Sequence, residues 1–267
     1  MTEEPSAPGE SSVAQDSFRV WMNEPANLHA RENILMHRLC FDLQLAAARH
    51  GYYLNTYYDD VDHDGFDLIF DDQDTIKKTQ VKTVDSKAAT GQWGIHKRIL
   101  RPSFNNIEKL GFESSPEGEG VEGGFILMQF DTSVQDLVVN YFYTDLYVWL
   151  ALECGIIRRA DGRSQKAVET CLGDLRTGSG TDRLAVPWAL TLQAKGPDEL
   201  LALSGLHSRA GFDWATNVCA IANNMRSRRH PKMQLSRPLP EMKRFAAEQI
   251  RALVVDADLL DGDSTRE

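Results

Sequence analysis

The sequence lacks the cysteine spacing of a zinc site or a disulfide framework. Its four cysteines are spread over 267 residues, and none lies in a CxxC pair. Free thiols buried in a reducing compartment are therefore expected at Cys40, Cys154, Cys171 and Cys219.

Long apolar runs and common nucleotide motifs are also missing. No apolar run approaches the roughly 20 residues of a membrane span, and the acidic amino terminus has no apolar signal segment. The sequence contains no internal repeat, Walker loop, GxSxG elbow or dinucleotide fingerprint. These absences give no support to NTP-driven or acyl-transfer chemistry, and they predict a cytoplasmic protein without a membrane partner.

The net charge of −10 argues against nucleic acid as a partner until its distribution is considered. Residues 1–24 and residues 252–267 each carry five acidic side chains against one arginine, which leaves −2 for the body of the chain. Residues 77–101 instead carry seven basic side chains against one acid, a net +6. Such a run is often a solvated face, and the alternative is a phosphate-binding surface.

Two alternating stretches predict a β-hairpin with polar side chains in an apolar setting. Residues 65–70 and 79–83 have the period of strands, and the polar residues 71–74 between them suit a turn. Pairing these strands brings Asp67 close to Gln80 and Lys82. Such a cluster is costly to bury without a ligand.

A carboxylate and a second oxygen can hold a hard divalent cation, and a nearby lysine can orient water for attack on phosphorus. In Asp67, followed thirteen residues on by Gln80-Val81-Lys82, the chain resembles the PD-(D/E)XK nuclease superfamily, in the variant with Gln at the second acidic position. The resemblance implies an α/β, restriction-endonuclease-like core: a mixed central β-sheet flanked by helices, with additional C-terminal helices. It also implies Mg²⁺ or Mn²⁺ held by Asp67, Gln80 and the Val81 carbonyl, with Lys82 positioning the attacking water.

A helix is expected over residues 27–50, with an apolar stripe that includes Glu32. The resemblance implies a helix before the hairpin that often carries an acidic residue pointing into the site, and Glu32 fits as a further catalytic and metal-binding residue. The alternative is an exposed Glu near the start of the helix, favoured by the helix dipole.

Basic side chains and one aromatic ring are predicted to contact nucleic acid. These positions are Lys78, Lys87, Trp93, His96, Lys97, Arg98, Arg101, Arg226, Arg228 and Arg229. Trp93 is more typical of a core residue than of a nucleic-acid contact.

A rival motif precedes the hairpin. Asp60, Asp62, Asp64 and Gly65 match the opening of an EF-hand calcium loop, with Asp71 at the twelfth position. The pattern departs from an EF-hand afterwards, because a strand is predicted where a helix should follow.

The chain divides into four predicted regions. They are a disordered acidic tail (1–17), a nuclease-like core (18–160), a C-terminal strand and helical extension packed on the core (161–259) and an acidic tail (260–267). Within them we expect strands over 52–57, 125–130, 137–143 and 184–192, and helices over 103–110, 145–157, 198–206, 213–229 and 240–255.

The expected function is a metal-dependent nuclease acting on DNA, in a restriction or phage-defence setting, as a homo-oligomer or with a defence-system partner protein. One alternative is a nuclease fold that has lost catalysis and binds nucleic acid or protein. A second alternative is a calcium-binding structural protein that uses the loop from Asp60 to Asp71. Divalent-dependent cleavage separates the first function from the others.

Overall fold

The computed structural model describes residues 10–58, 65–114, 119–133, 136–159, 163–177, 181–206, 212–226, 231–255 and 259–261. The described helices are α1 (Glu10–Asn23), α2 (Leu28–Arg49), α3 (Lys97–Leu100), α4 (Leu146–Glu153), α5 (Arg163–Thr177), α6 (Pro197–Ser204), α7 (Phe212–Arg226) and α8 (Leu239–Leu253). The described strands are β1 (Asn55–Tyr58), β2 (Leu68–Asp71), β3 (Ile76–Asp85), β4 (Gln92–His96), β5 (Gly124–Asp131), β6 (Val138–Asp145), β7 (Ile157–Arg159), β8 (Arg183–Pro187), β9 (Leu192–Gln193) and β10 (Leu259–Asp261). Short 3-10 helices lie at Pro25–Asn27 and Trp188–Leu190.

The fold is mixed α/β, with a six-stranded mixed sheet in the order β1-β2-β3-β5-β6-β9. Strands β3 and β5 run parallel, and every other neighbouring pair in this sheet is antiparallel. A parallel pair needs a crossover connection, and here the crossover contains β4 and α3. The predicted mixed central sheet flanked by helices is confirmed at this level.

The predicted hairpin is present as β2 and β3, joined by an Asp-rich turn. Asp72 closes the turn: its N–H donates to the Thr75 carbonyl at 3.2 Å, and its Oδ1 accepts from the N–H groups of Asp74 and Thr75. Gln73 adopts a φ of 75°. A short Asp side chain that bonds the backbone two or three residues on is a common device of tight turns.

The register divides the side chains of the sheet between two faces. The Lys82 face carries the row Lys82, Leu127 and Phe142, whereas the Tyr141 face carries the row Thr83, Met128 and Tyr141. Tyr141 donates from its hydroxyl to Asp42 of α2 at 2.6 Å. Helix α2 therefore covers the Tyr141 face, and α6 packs beside α2 and against β6.

A two-stranded ribbon of β4 and β8 covers the Lys82 face. The Trp93 ring lies 6.2 Å from the ring of Phe125, and the Trp188 ring lies 4.6 Å from that of Phe142. Helix α5 packs against β8 and the 3-10 helix that follows it. The ribbon and α5 thus form the second layer on this face.

The C-terminal third continues the sheet and its layers. Strand β9 pairs with β6, β8 pairs with β4, and β10 pairs with β7. Helix α7 packs against α4 and α8. This region is thus joined to the rest of the chain by strand pairing as well as by helix packing.

Several local predictions differ from the structure, and the strand predicted over 184–192 is divided into β8 and β9 by the 3-10 helix at Trp188–Leu190. Helix α1 begins at Glu10, so the predicted disordered tail overlaps a helix, while residues 1–9 lie outside the described ranges. Residues 104–111 form consecutive turns instead of a helix. Residues 163–177, where no helix is predicted, form α5, and its buried side chains recur at helical spacing at Ser164, Val168, Cys171, Leu172 and Leu175.

The structure also bears on the predicted free thiols and on membrane spans. All four cysteines are free, and three of them are buried. Burial raises the pKa of the Cys154 and Cys171 thiols to about 11, which keeps them protonated and unreactive at neutral pH. No helix in the described ranges has the length and apolar character needed to cross a membrane.

Candidate functional site

Asp67 lies immediately before β2, where the pairing with β3 ends. Its N–H donates to the Thr79 carbonyl at 2.9 Å, and its Oδ2 accepts from the Val81 N–H at 2.7 Å. The carboxylate thereby accepts the Val81 N–H, which a backbone carbonyl would accept if the antiparallel pairing continued. Because the N–H and C=O of one residue point to the same side of a strand, the Val81 carbonyl also points toward this edge.

Gln80 is buried, with 2% of its surface exposed. Its Oε1 accepts from the His96 N–H at 3.1 Å, which fastens the end of β4 to β3. Gly65 lies against His96 with a φ of +75°, and a Cβ at that position would approach the His96 Cβ to 2.5 Å. The structure thus brings together the start of the hairpin, Gln80 and His96, a grouping that spacing in the sequence does not reveal.

His96 has a defined ring orientation. Its Nδ1 accepts from the Arg98 N–H at 3.3 Å at the start of α3. A backbone N–H can only donate, so Nδ1 is unprotonated and the ring proton of this neutral form is on Nε2. His96 therefore offers an N–H donor next to Gln80.

Lys82 extends from the same face as Gln80 because the two residues are two positions apart on β3. It is half-buried, and within the described part of the chain its ammonium has no hydrogen-bond or ion-pair partner. A cation that is half-buried and unpaired is poised for an anionic ligand or a bound water.

Glu32 does not join this group. Its side chain is 48% exposed and lies 3.8 Å from His29, and the buried stripe of α2 begins only at Leu35. Helix α2 covers the Tyr141 face, whereas Gln80 and Lys82 belong to the Lys82 face. The prediction that Glu32 lies on the inward stripe is therefore wrong, and we do not include it in the site.

The basic stretch is less exposed than its charge predicts. Lys77 is buried and lies 3.2 Å from Asp145, whose Oδ2 also accepts from the Tyr143 hydroxyl at 2.8 Å. Burial raises the pKa of Tyr143 well above its ordinary value, so this hydroxyl stays a donor. Arg101, predicted to contact nucleic acid, is 4% exposed and donates to the carbonyls of Leu175 and Glu113.

Other predicted contacts also have structural partners. Trp93 is buried, with its ring 5.5 Å from that of Trp188, so it is a core residue. Arg226 lies 3.0 Å from the buried carboxylate of Glu153, which also accepts two hydrogen bonds from Arg176. Because these groups serve packing and ion pairing, we do not assign Trp93, Arg101 or Arg226 to nucleic-acid binding.

The remaining predicted contacts differ in exposure. Lys87 and Arg98 are exposed, Lys97 is largely buried, and Lys78 places its ammonium 4.3 Å from the centre of the Phe66 ring. Arg228 and Arg229 lie outside the described residues, as do Asp60, Asp62 and Asp64 of the calcium-loop motif. Strand β2, and not the start of a helix, occupies the last four positions of that motif, Leu68–Asp71.

The donor set suits a hard cation but is low in charge. Asp67, Gln80 and the Val81 carbonyl supply oxygen ligands, and only Asp67 is anionic. Among the described residues, no group of three or more His, Cys, Asp or Glu side chains is arranged to hold a metal ion. Magnesium commonly binds through one or two carboxylates, several waters and substrate phosphates, so a site completed by substrate fits these residues.

Comparison with known proteins finds no matching family model, no matching curated protein and no matching solved structure.

Proposed function

We propose that this protein is a metal-dependent nuclease that hydrolyses phosphodiester bonds in DNA. The observation that carries the proposal is the position of Lys82. Its half-buried ammonium has no partner in the described ranges and shares a face with Gln80, beside the strand edge where Asp67 meets Val81. A lysine and oxygen ligands grouped in this way suit hydrolysis at phosphorus.

The order of the elements adds support. Helix α2 precedes an antiparallel meander of β1, β2 and β3, and a crossover then leads to β5, which is parallel to β3. The resemblance to the PD-(D/E)XK superfamily, which rests on Asp67 and Gln80-Val81-Lys82, implies a helix before such a hairpin and a mixed sheet. We propose on this basis that residues 18–160 hold a restriction-endonuclease-like core.

In this function Asp67, Gln80 and the Val81 carbonyl would hold Mg²⁺ or Mn²⁺. When bound, the ion supplies charge that stabilises the phosphorane-like transition state and lowers the pKa of water. Lys82 orients the attacking water through its ammonium. His96, whose Nε2 carries the ring proton, donates to a phosphate oxygen, and the exposed Lys87 and Arg98 hold the neighbouring backbone.

The second candidate is a nuclease fold without catalysis that binds nucleic acid or a protein partner. A specific observation favours it: Asp67 Oδ2 and Gln80 Oε1 both accept backbone N–H groups already. These bonds give both side chains a structural task, and Gln80 is almost completely enclosed.

Cleavage assays with matched variants decide between the two. Purified protein is incubated with plasmid and with single-stranded DNA in Mg²⁺, Mn²⁺, Ca²⁺ or EDTA. We expect cleavage in Mg²⁺ or Mn²⁺ that Asp67→Asn and Lys82→Ala abolish, while Lys195→Ala, on the other side of the sheet, keeps it. DNA binding without cleavage would support the second candidate, and Ca²⁺ binding alone would support a calcium-binding protein.

A further inference from the structure

A pocket of about 550 Å³ lies on the other side of the sheet from the proposed nuclease site. It is bounded by α2, by β6 and by the turn from β9 into α6. Its volume is in the range of small-molecule sites. The nuclease proposal assigns no role to it.

A buried carboxylate organises the polar wall of this pocket. The Asp42 side chain is 11% exposed, and its Oδ2 accepts from Arg38 Nε at 2.8 Å and from the Tyr141 hydroxyl at 2.6 Å. Tyr141 is buried in the sheet. Asp42 is therefore fixed, and it fixes Arg38 in turn.

Arg38 is held through one of its three nitrogens. Within the described residues its guanidinium makes one hydrogen bond of good geometry, from Nε to Asp42, with the Tyr141 hydroxyl as a weaker neighbour, so Nη1 and Nη2 keep donors for another partner. Because the guanidinium is planar, anchoring Nε sets the direction of the remaining fork, which matches a carboxylate or phosphate. The bond to Asp42 raises the pKa of Arg38 above its already high ordinary value, so the guanidinium stays positively charged.

The lining as a whole is positive. Arg38, Arg49 and Lys195 face the pocket with Asp42 as the acid, a net +2. Lys195 donates to the carbonyls at the end of α8, and Arg49 lies 3.6 Å from Asp198. Lys195 therefore uses most of its donors elsewhere and Arg49 is ion-paired, whereas Arg38 combines an Nε anchored on Asp42 with Nη donors that remain available.

An apolar wall completes the pocket. Phe41 and Val255 line it and are 60% and 50% exposed, and Leu45 lies beside them. Exposed apolar side chains next to a charged group form an environment for a ligand that has both characters.

We propose that this pocket binds a small organic anion, a carboxylate or phosphate monoester with an aromatic or aliphatic body. The Nη fork of Arg38 holds the anionic group, and Phe41, Leu45 and Val255 contact the body. The alternative is a purely structural role, in which Arg38 and Asp42 only hold α2 against β6. A structural role predicts no difference between anionic and neutral ligands.

Calorimetric titrations at low salt test the proposal with three probes: 3-phenylpropanoate, phenyl phosphate and the neutral 3-phenylpropanamide. We expect at least one anion to bind roughly tenfold or more tightly than the amide, the scale of a charge-assisted hydrogen-bonded pair. The variant Arg38→Gln should remove that difference. Arg183→Gln, on β8 of the opposite face, should preserve it. The two anions distinguish a carboxylate site from a phosphate site.

Three results would overturn the proposal. Equal affinity for anion and amide, no binding of either anion, or unchanged binding by Arg38→Gln would each show that the fork is not a ligand site. Arg38 is partly exposed, so Arg38→Gln should fold, which circular dichroism will show. If it does not fold, Arg38→Lys decides, because lysine keeps the charge but lacks the fork and should still weaken anion binding.

Discussion

Replacing Gln80 by glutamate tests the metal site without removing any contact. The carboxylate can still accept from the His96 N–H, as the amide oxygen does at 3.1 Å. The change adds one negative charge at a position that is 2% exposed. Without a cation this charge is buried close to Asp67, and Lys82 offsets it only in part.

The size of the effect follows from the cost of burial. Burying a polar group without full compensation costs about 1–3 kcal/mol in proteins. For a chain of this length, each kcal/mol lowers Tm by roughly 2–4 °C, so Gln80→Glu should lower Tm by about 2–12 °C in EDTA. The loss should shrink as pH falls, because burial raises the pKa of a carboxyl and protonation then removes its charge.

Saturating Mg²⁺ should reverse the loss. A cation at about 100 times its dissociation constant stabilises the folded state by about 2.7 kcal/mol, which offsets most or all of the cost of burial. The same change should lower the Mg²⁺ concentration for half-maximal cleavage, because a carboxylate binds Mg²⁺ more strongly than an amide.

Gln129→Glu is the control on the same face of the sheet, at a less buried position. Gln129 lies on the same face and pairs with Val84, four positions beyond Gln80 on β3. We expect no Mg²⁺-dependent recovery there. Differential scanning fluorimetry with Mg²⁺ titration measures both variants, and equal Mg²⁺ responses would refute the assignment of Gln80 to a metal site.

Three further predictions concern single residues. Arg226→Gln should lower Tm through loss of its ion pair with Glu153, at 3.0 Å, and leave DNA affinity in a filter-binding assay unchanged. Burial raises the pKa of Asp72, so the ionised carboxylate destabilises the folded state at pH 7. Asp72→Asn should therefore raise the unfolding free energy at pH 7, and urea titrations should show the two proteins converging below the ordinary carboxyl pKa. Glu32→Gln should leave the metal dependence of cleavage unchanged, because Glu32 is exposed on α2.

The local patterns of the hairpin could be predicted because they depend on neighbours in the chain. Alternation over residues 65–70 and 79–83 and the Asp-rich turn gave the strands and their antiparallel pairing, which the structure confirms. The alternation of side chains and the chemistry of the turn depend on residues a few positions apart, so both can be recognised in the sequence alone.

The faces of the sheet could not be predicted in the same way. Glu32 has the spacing of the α2 stripe, yet that stripe is buried only from Leu35 onward. Arg101 belongs to a basic run, yet its guanidinium is enclosed by carbonyls from distant parts of the chain. Both outcomes depend on long-range packing, which charge and periodicity do not encode.

The two proposed sites lie on opposite faces of one sheet, and β6 contributes side chains to both faces. Tyr141 contacts Asp42 at the pocket, and the next residue, Phe142, contacts Trp188 in the ribbon over the Lys82 face. Sites separated by a rigid sheet are expected to respond additively, so Arg38→Gln should not alter cleavage and Lys82→Ala should not alter anion binding. If an anion in the pocket did change cleavage, a shift of β6 would provide a physical route, and the coupling would make the pocket an effector site.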